Sequence, residues 1–239
     1  MYGTLKDIDV FILCGGIGKR LRKVSGGTPK PMVKIGDYVF LDLLIKYIAG
    51  FGFRRFILGT GYRAGIIKDY YSSGRFPGLD IRFSREESPL DTGGAVKNAK
   101  ELIKSNPFFI LNGDSLCKFN PWLFLKFHKQ NKSLVSILLR RISSGKEYGE
   151  IKIDKFSRIL SFHEKNELAK KCLINAGVYI FDKKVFDMMP RQSKFSLEQN
   201  FFPEMAGKNI FGYSSSGLFV DIGTPERYLK AKKIFLKGN

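Results

Sequence analysis

Val10-Phe11-Ile12-Leu13 runs directly into Cys14-Gly15-Gly16-Ile17-Gly18-Lys19-Arg20. A short apolar run that ends in glycines reads as a buried strand handing over to a loop. Without Cβ atoms, the loop's backbone N–H groups can approach an anion closely. Lys19, Arg20, Arg22, Lys23 and Lys30 follow, with no carboxylate between Gly15 and Gly36. Bare backbone donors beside flexible cations suit a polyphosphate.

Two familiar phosphate loops do not match. The P-loop needs a Gly-Lys-Ser/Thr end after four intervening residues, and that spacing is absent. The dinucleotide fingerprint needs a third glycine where Leu21 stands. The loop instead continues through basic residues to Thr28-Pro29-Lys30-Pro31. The prolines fix φ on both sides of Lys30 and hold its backbone stiff, as a cation aimed at one place requires.

The chain then alternates strand and helix. Phe40 to Ala49 has apolar residues at helical spacing and stops at Gly50-Phe51-Gly52. Arg54 to Thr60 and Leu79 to Ser84 read as strands, with a short helix over Gly65 to Tyr71 between them. A further helix runs from Thr92-Gly93-Gly94 to about Lys104, and Phe108 to Leu111 forms another strand. This rhythm predicts a parallel sheet with helices on its faces. Trp122 to Gln130 reads as a helix with His128 on its polar, exposed side. Ser133 to Arg141 is a buried strand, and Tyr148 to Asp154 and Ile159 to Lys165 form a hairpin. Leu173 to Phe181 is again a strand. A short helix spans Val185 to Met189, another is capped by Ser196, and the last begins at Thr224-Pro225.

Carboxylates recur where such a fold binds ligands. Asp114 follows the strand Phe108 to Leu111, and Asp221 ends the apolar strand Phe219-Val220. Strand C-termini are the ligand edge of an open α/β sheet. Taken alone, Asp114 reads equally well as an ordinary turn residue after Gly113.

Composition excludes several classes. The 239 residues carry a formal charge of +19, but the cations are dispersed rather than clustered in runs. Nucleic-acid binding is therefore not expected, and steering of anionic substrates is the milder reading. Apolar windows are too short for membrane insertion. Cys14, Cys117 and Cys172 lack metal or disulfide spacing. With no signal-peptide pattern at the first residues, this sets the expectation of a cytoplasmic protein.

The run Gly-Gly-x-Gly-x-Arg-Leu from Gly15 to Leu21, then Pro29-Lys30-Pro31-Met32, resembles the signature of the sugar-1-phosphate nucleotidyltransferases, the nucleotide-sugar pyrophosphorylases. Further motifs agree in order along nearly the whole chain: Pro89-Leu90-Asp91-Thr92-Gly93-Gly94, Asn112-Gly113-Asp114, Phe162-His163-Glu164-Lys165, Asn175-Ala176-Gly177-Val178-Tyr179 and Asp221-Ile222-Gly223-Thr224-Pro225. Among its groups, the chain is most similar to the D-glycero-D-manno-heptose 1-phosphate guanylyltransferases, with the mannose-1-phosphate enzymes next.

The resemblance implies one Rossmann-like α/β/α domain over residues 1–239, with a mostly parallel sheet and a small β-hairpin lobe. Its nucleotide part covers about 1–115 and its sugar part about 116–239. It implies guanylyl transfer from GTP to a sugar 1-phosphate, with Mg²⁺ on Asp114 and Asp221, for surface polysaccharide synthesis; a homo-oligomer is compatible with it. Leu13, Gly15, Gly16, Gly18, Lys19, Glu86, Glu87, Pro89, Thr92, Gly93, Asn112 and Gly113 then face the nucleotide. Arg20 and Lys30 hold the departing pyrophosphate and Lys165 the attacking phosphate. Tyr148, Gly149, Glu164, Asn175 and Glu198 face the sugar. Asp91 stands where the family commonly has glycine, and Asn166 where it commonly has proline. Guanine presents N1–H and N2–H₂ donors, which a carboxylate, Glu86 or Glu87, can accept. Mannose-1-phosphate guanylyl transfer, or transfer of another nucleotidyl group to a sugar 1-phosphate, is the alternative activity, and a catalytically silent binding subunit the alternative class.

Overall fold

The computed structural model describes residues 4–143, 148–165 and 171–236, and only the backbone of Lys19, Arg22, Lys23, Glu164 and Lys165. Strand β1 (Asp9–Leu13) is buried along most of its length. The single helical turn α1 (Arg22–Ser25) and the Pro29-Lys30-Pro31 turn precede a miniature hairpin, β2 (Lys34–Ile35) with β3 (Tyr38–Val39). Helix α2 (Phe40–Ala49) buries Phe40, Leu41, Leu44, Ile45 and Ile48, one stripe at helical spacing. There follow β4 (Arg55–Thr60), α3 (Ala64–Ser72), β5 (Asp80–Arg85), α4 (Asp91–Asn98), β6 (Phe108–Asn112) and β7 (Ser115–Cys117). Helix α5 (Pro121–Gln130) starts under a cap, the Asn120 side chain accepting from Trp122 N and Leu123 N. The second half comprises β8 (Val135–Ile142), β9 (Gly149–Ile153), β10 (Ile159–Lys165), β11 (Cys172–Phe181), α6 (Val185–Met188), a π-helical turn (Leu197–Phe201), α7 (Phe202–Met205), β12 (Ile210–Ser215), β13 (Phe219–Asp221) and α8 (Pro225–Leu236).

Seven strands form one sheet in the order β12-β8-β11-β6-β1-β4-β5. Neighbours pair in parallel except β11, which runs antiparallel to both β6 and β8. Side chains alternate across the sheet. Val10, Ile12, Phe56, Leu58, Phe109 and Leu111 join one apolar cluster with α2, α5 and α8. Phe11, Ile57, Phe108 and Ile110 join a second cluster with α4, α6 and α7. The result is the expected α/β/α sandwich, with the hairpin β9–β10 paired separately.

Several features depart from the sequence expectations. The helix beginning near Thr92 ends at Asn98, and turns carry the chain on to the next strand. Strand β12 closes one edge of the sheet although its stretch, Ile210 to Ser215, carries no clear alternation. His128 is buried, not exposed: it is 4 % accessible, and its Nδ1 lies 2.9 Å from Ser136 Oγ on β8. Burial pushes its pKa down to about 4.

Candidate active site

The C-terminal ends of β1, β4 and β6 lie side by side, with Leu13 beside Gly59 and Asn112 in the register. Parallel strands end together, so their loops surround a cleft of about 730 Å³. Leu13, Gly15, Gly16 and Gly18 form one wall, and Asn112, Gly113 and Asp114 the floor beside it. Glu86, Glu87, Pro89 and Thr92 line the opposite side. Tyr62, Ser88, Ser196 and Gln199 also line it. The sequence reading missed these four; Tyr62 alone had a signal, its place just past the end of β4.

The two acidic candidates separate. Glu87 is exposed on the rim. The Glu86 carboxylate folds inward against Gly15, where any Cβ would collide with it. Its Oε2 accepts from Leu90 N at 3.1 Å. Burial pushes the Glu86 pKa up, the Leu90 N–H pulls it down, and the Asp91 charge adds to the rise. Asp91 sits at φ 58°, the left-handed region that favours glycine, so the loop keeps the glycine conformation at a non-glycine residue.

Gly93 does not face the cleft. Its N–H donates to Phe195 O at 2.9 Å, and a side chain there would run into the Phe195 ring. Thr92 has a partner in the π-helical turn: its hydroxyl donates to Glu198 Oε2 at 2.6 Å. The same oxygen accepts from Ser196 Oγ at 2.9 Å, and Glu198 Oε1 accepts from Tyr179 OH at 3.2 Å. Asn175 Nδ2 donates to that Tyr179 hydroxyl at 2.9 Å, while its Oδ1 accepts from Gly177 N at 2.8 Å. Glu198 and Asn175 therefore belong to one chain of hydrogen bonds that ties the Thr92 loop to β11.

The carboxylate pair is assembled by short strands. β13 pairs antiparallel with β7, setting Asp221 opposite Ser115, and Ile222 N donates to Asp114 O at 3.0 Å. This puts Asp221 beside Asp114. Asp114 is paired with Lys30 Nζ. Asp221 accepts from the Tyr148 hydroxyl, from Gly223 N at 2.9 Å and from Arg227 Nη1 at 3.1 Å. Arg227 was not read from the sequence; its signal was a cation in the first turn of the helix that follows the aspartate. Hard carboxylate oxygens side by side, one from the turn between β6 and β7 and one from the end of β13, fit a divalent metal that takes its other ligands from phosphate. Among the described residues there is no cluster of three or more His, Cys, Asp or Glu that would supply a full protein cage.

Lys30 is only 12 % exposed and stands beside the carboxylates, outside the cleft wall. Arg20 is exposed in the turn Lys19–Leu21. Gly149 opens β9 opposite Lys165, the last residue of β10. The side chains of Lys19, Glu164 and Lys165 lie outside the described residues.

The nucleotidyl transferase family model matches residues 9–238 of the chain. The chain belongs to that family. It is 36% identical over 227 residues to the D-glycero-alpha-D-manno-heptose 1-phosphate guanylyltransferase of Aneurinibacillus thermoaerophilus, covering 95% of this chain and 97% of that protein. The mannose-1-phosphate guanylyltransferase of Mycobacterium tuberculosis is 32% identical over 235 residues, 97% of this chain but 66% of the relative. The crystal structure of HddC from Yersinia pseudotuberculosis superposes with a TM-score of 0.86 at 36% identity, over 95% of this chain and 99% of that one. The same protein has been solved complexed with GMP-PN. This family member is thus a nucleotidyltransferase with a Rossmann-like fold. No helix among the described residues is long and apolar enough to cross a membrane.

Proposed function

We propose that this nucleotidyltransferase moves a guanylyl group from GTP to D-glycero-α-D-manno-heptose 1-phosphate, giving GDP-heptose and pyrophosphate. The observation that carries guanine is the inward Glu86 carboxylate, an acceptor held in the cleft by Leu90 N–H at 3.1 Å. Guanine offers two adjacent donors to such a group, whereas the O4 or O2 of a pyrimidine would be repelled. The heptose is supported by similarity to the Aneurinibacillus enzyme over 97% of its length.

In the reaction a sugar-phosphate oxygen attacks the α-phosphorus in line. A new P–O bond forms and the bond to the β-phosphate oxygen breaks. The attacking phosphate is already ionised, so the site needs no general base. Catalysis is then positioning and charge stabilisation. The Gly15–Gly18 loop would supply backbone donors to the triphosphate. Lys30 and Arg20 would take the leaving pyrophosphate, and Lys165 the nucleophile. Tyr148, Gly149, Glu164 and Asn175 would border the sugar, with Glu198 holding Thr92 and Tyr179 in register. Asp114 and Asp221 would hold Mg²⁺, which supplies charge neutralisation at the reacting phosphates. Residues 1–115 and 116–239 would divide the nucleotide and sugar roles within one domain. A cytoplasmic location agrees with the three buried free cysteines.

Pyrophosphate release across four nucleoside triphosphates and a panel of sugar 1-phosphates tests the reading. GTP with the heptose 1-phosphate is expected to give the highest kcat/KM. A preference for mannose 1-phosphate would replace the heptose, in line with the Mycobacterium relative. No release from GTP with either sugar would overturn guanylyl transfer.

A further inference from the structure

Two ion pairs occupy the carboxylates assigned above to the metal, and they meet at one glycine. Lys30 Nζ is on Asp114 Oδ2, and Arg227 Nη1 is 3.1 Å from Asp221 Oδ1. A Cβ at Gly223 would lie 2.8 Å from Asp221 Oδ1, 3.4 Å from Arg227 Nη1 and 3.8 Å from Lys30 Nζ. Both cations therefore border the same small space. Side-chain exposure is 12% for Lys30, 14% for Arg227 and 11% for Asp221, against 38% for Asp114 on the cleft floor. The Arg227 guanidinium also lies over the Tyr148 ring at 4.3 Å, and the Tyr148 hydroxyl donates to Asp221 Oδ2.

Among the described side chains, two monovalent cations face the two carboxylates. A divalent ion brings as much charge as Lys30 and Arg227 together. If it joined Asp114 and Asp221 while both cations stayed, positive charge around the carboxylates would be in excess, with the strongest repulsion at Asp221, the less accessible of the two. A polyphosphate removes that excess. We propose a cation exchange: Lys30 and Arg227 hold the two carboxylates in the free protein, and move to the nucleotide phosphates when the metal arrives with the nucleotide. Free protein then has little affinity for the metal alone, and Arg227 is a phosphate-contacting residue in the loaded site. The inference rests on reading Asp114 and Asp221 as the metal ligands.

Mn²⁺ binding, followed by loss of the free-ion paramagnetic resonance signal, tests the exchange without measuring turnover. Arg227→Met removes the charge but keeps a stem to pack on Tyr148; Lys30→Met does the same at the other carboxylate. Each variant is expected to bind Mn²⁺ without nucleotide about 10–100-fold more tightly than the unmodified protein, the scale on which a neighbour of a ligating group controls metal affinity. Arg227→Gln, which retains a donor for Asp221 but no charge, should show the same gain and serves if the Met variant does not fold. Unchanged Mn²⁺ affinity in the folded variants would overturn the exchange. A separate arm uses Asp114→Asn and Asp221→Asn with a non-hydrolysable GTP analogue. If these bind Mn²⁺ in the nucleotide complex as well as the unmodified protein does, the ligand assignment itself fails, and the exchange with it.

Discussion

At the Glu86 end of the cleft, successive strand loops contribute mostly backbone around one half-buried carboxylate, which accepts from the Leu90 N–H. At the Asp221 end, a hydroxyl, a guanidinium and an N–H converge on one carboxylate, and an ammonium holds its neighbour Asp114. The first end is open to a donor-rich base, because its acceptor is only lightly engaged. The second end is closed upon itself, and any ligand there must displace charge already in place. The same contrast holds farther out. The Thr92–Glu198–Tyr179–Asn175 chain and the buried His128–Ser136 pair show the C-terminal half held by polar contacts between separate segments.

The largest expected effect comes from the charged end. Lys30→Ala, Asp114→Ala or Asp221→Ala should each lower the turnover of pyrophosphate release by about 10²–10³, the scale of one lost group that stabilises transition-state charge. Near-full activity in any of them would dissolve the contrast, because that end would then be structural. Next, Glu86→Gln should lower kcat/KM for GTP by about 10–100-fold, the worth of a hydrogen bond to a charged acceptor, while Glu87→Gln at the rim leaves it nearly unchanged. Equal losses in the two would mean that the rim reads the base. Gly93→Ala should cost about 1–3 kcal/mol in urea unfolding, because its new methyl has no space beside the Phe195 ring.

A pH titration examines the polar contact between α5 and β8. His128 has its pKa lowered from 6.5 to about 4 by burial, so the folded protein binds fewer protons than the unfolded chain between those values. Its share of stability is complete above about pH 6.5 and falls as the pH drops toward 4. Between about pH 7 and pH 5 the loss should be about 2 kcal/mol, and His128→Gln should flatten that part of the curve. An identical slope in the variant would remove His128 from the account. The smallest structural effect is expected at Gly16, which has nothing within 4 Å of an added Cβ. Gly16→Ala should change stability by less than about 0.5 kcal/mol yet raise KM for GTP. If KM stays put, the phosphates do not pass close to that backbone.

Much of the nucleotide end was legible from local pattern. The apolar run into Gly15-Gly16 marked β1 and its loop, and the stop at Gly50 marked the end of α2 within a residue. These signals lie within a few residues of what they shape. Other features were not legible. β7 and β13 have three residues each, too few for alternation to register, yet their pairing is what brings Asp221 beside Asp114. Glu198 carries nothing in its neighbourhood to reveal that Thr92 and Tyr179 will claim its oxygens. The polar helix position of His128 gave no hint that β8 would cover it.

The sequence alone determined the strand–loop–helix rhythm, the bare loop after β1 and the stiff mount of Lys30. Glycine, proline and apolar spacing act on the backbone where they stand. Only the tertiary structure decided that Glu86 rather than Glu87 turns into the cleft, and that Lys30 and Arg227 flank one glycine across two carboxylates. A hydrogen bond or ion pair exists only when the fold brings its partners within about 3 Å, and that distance depends on strand register across the whole chain.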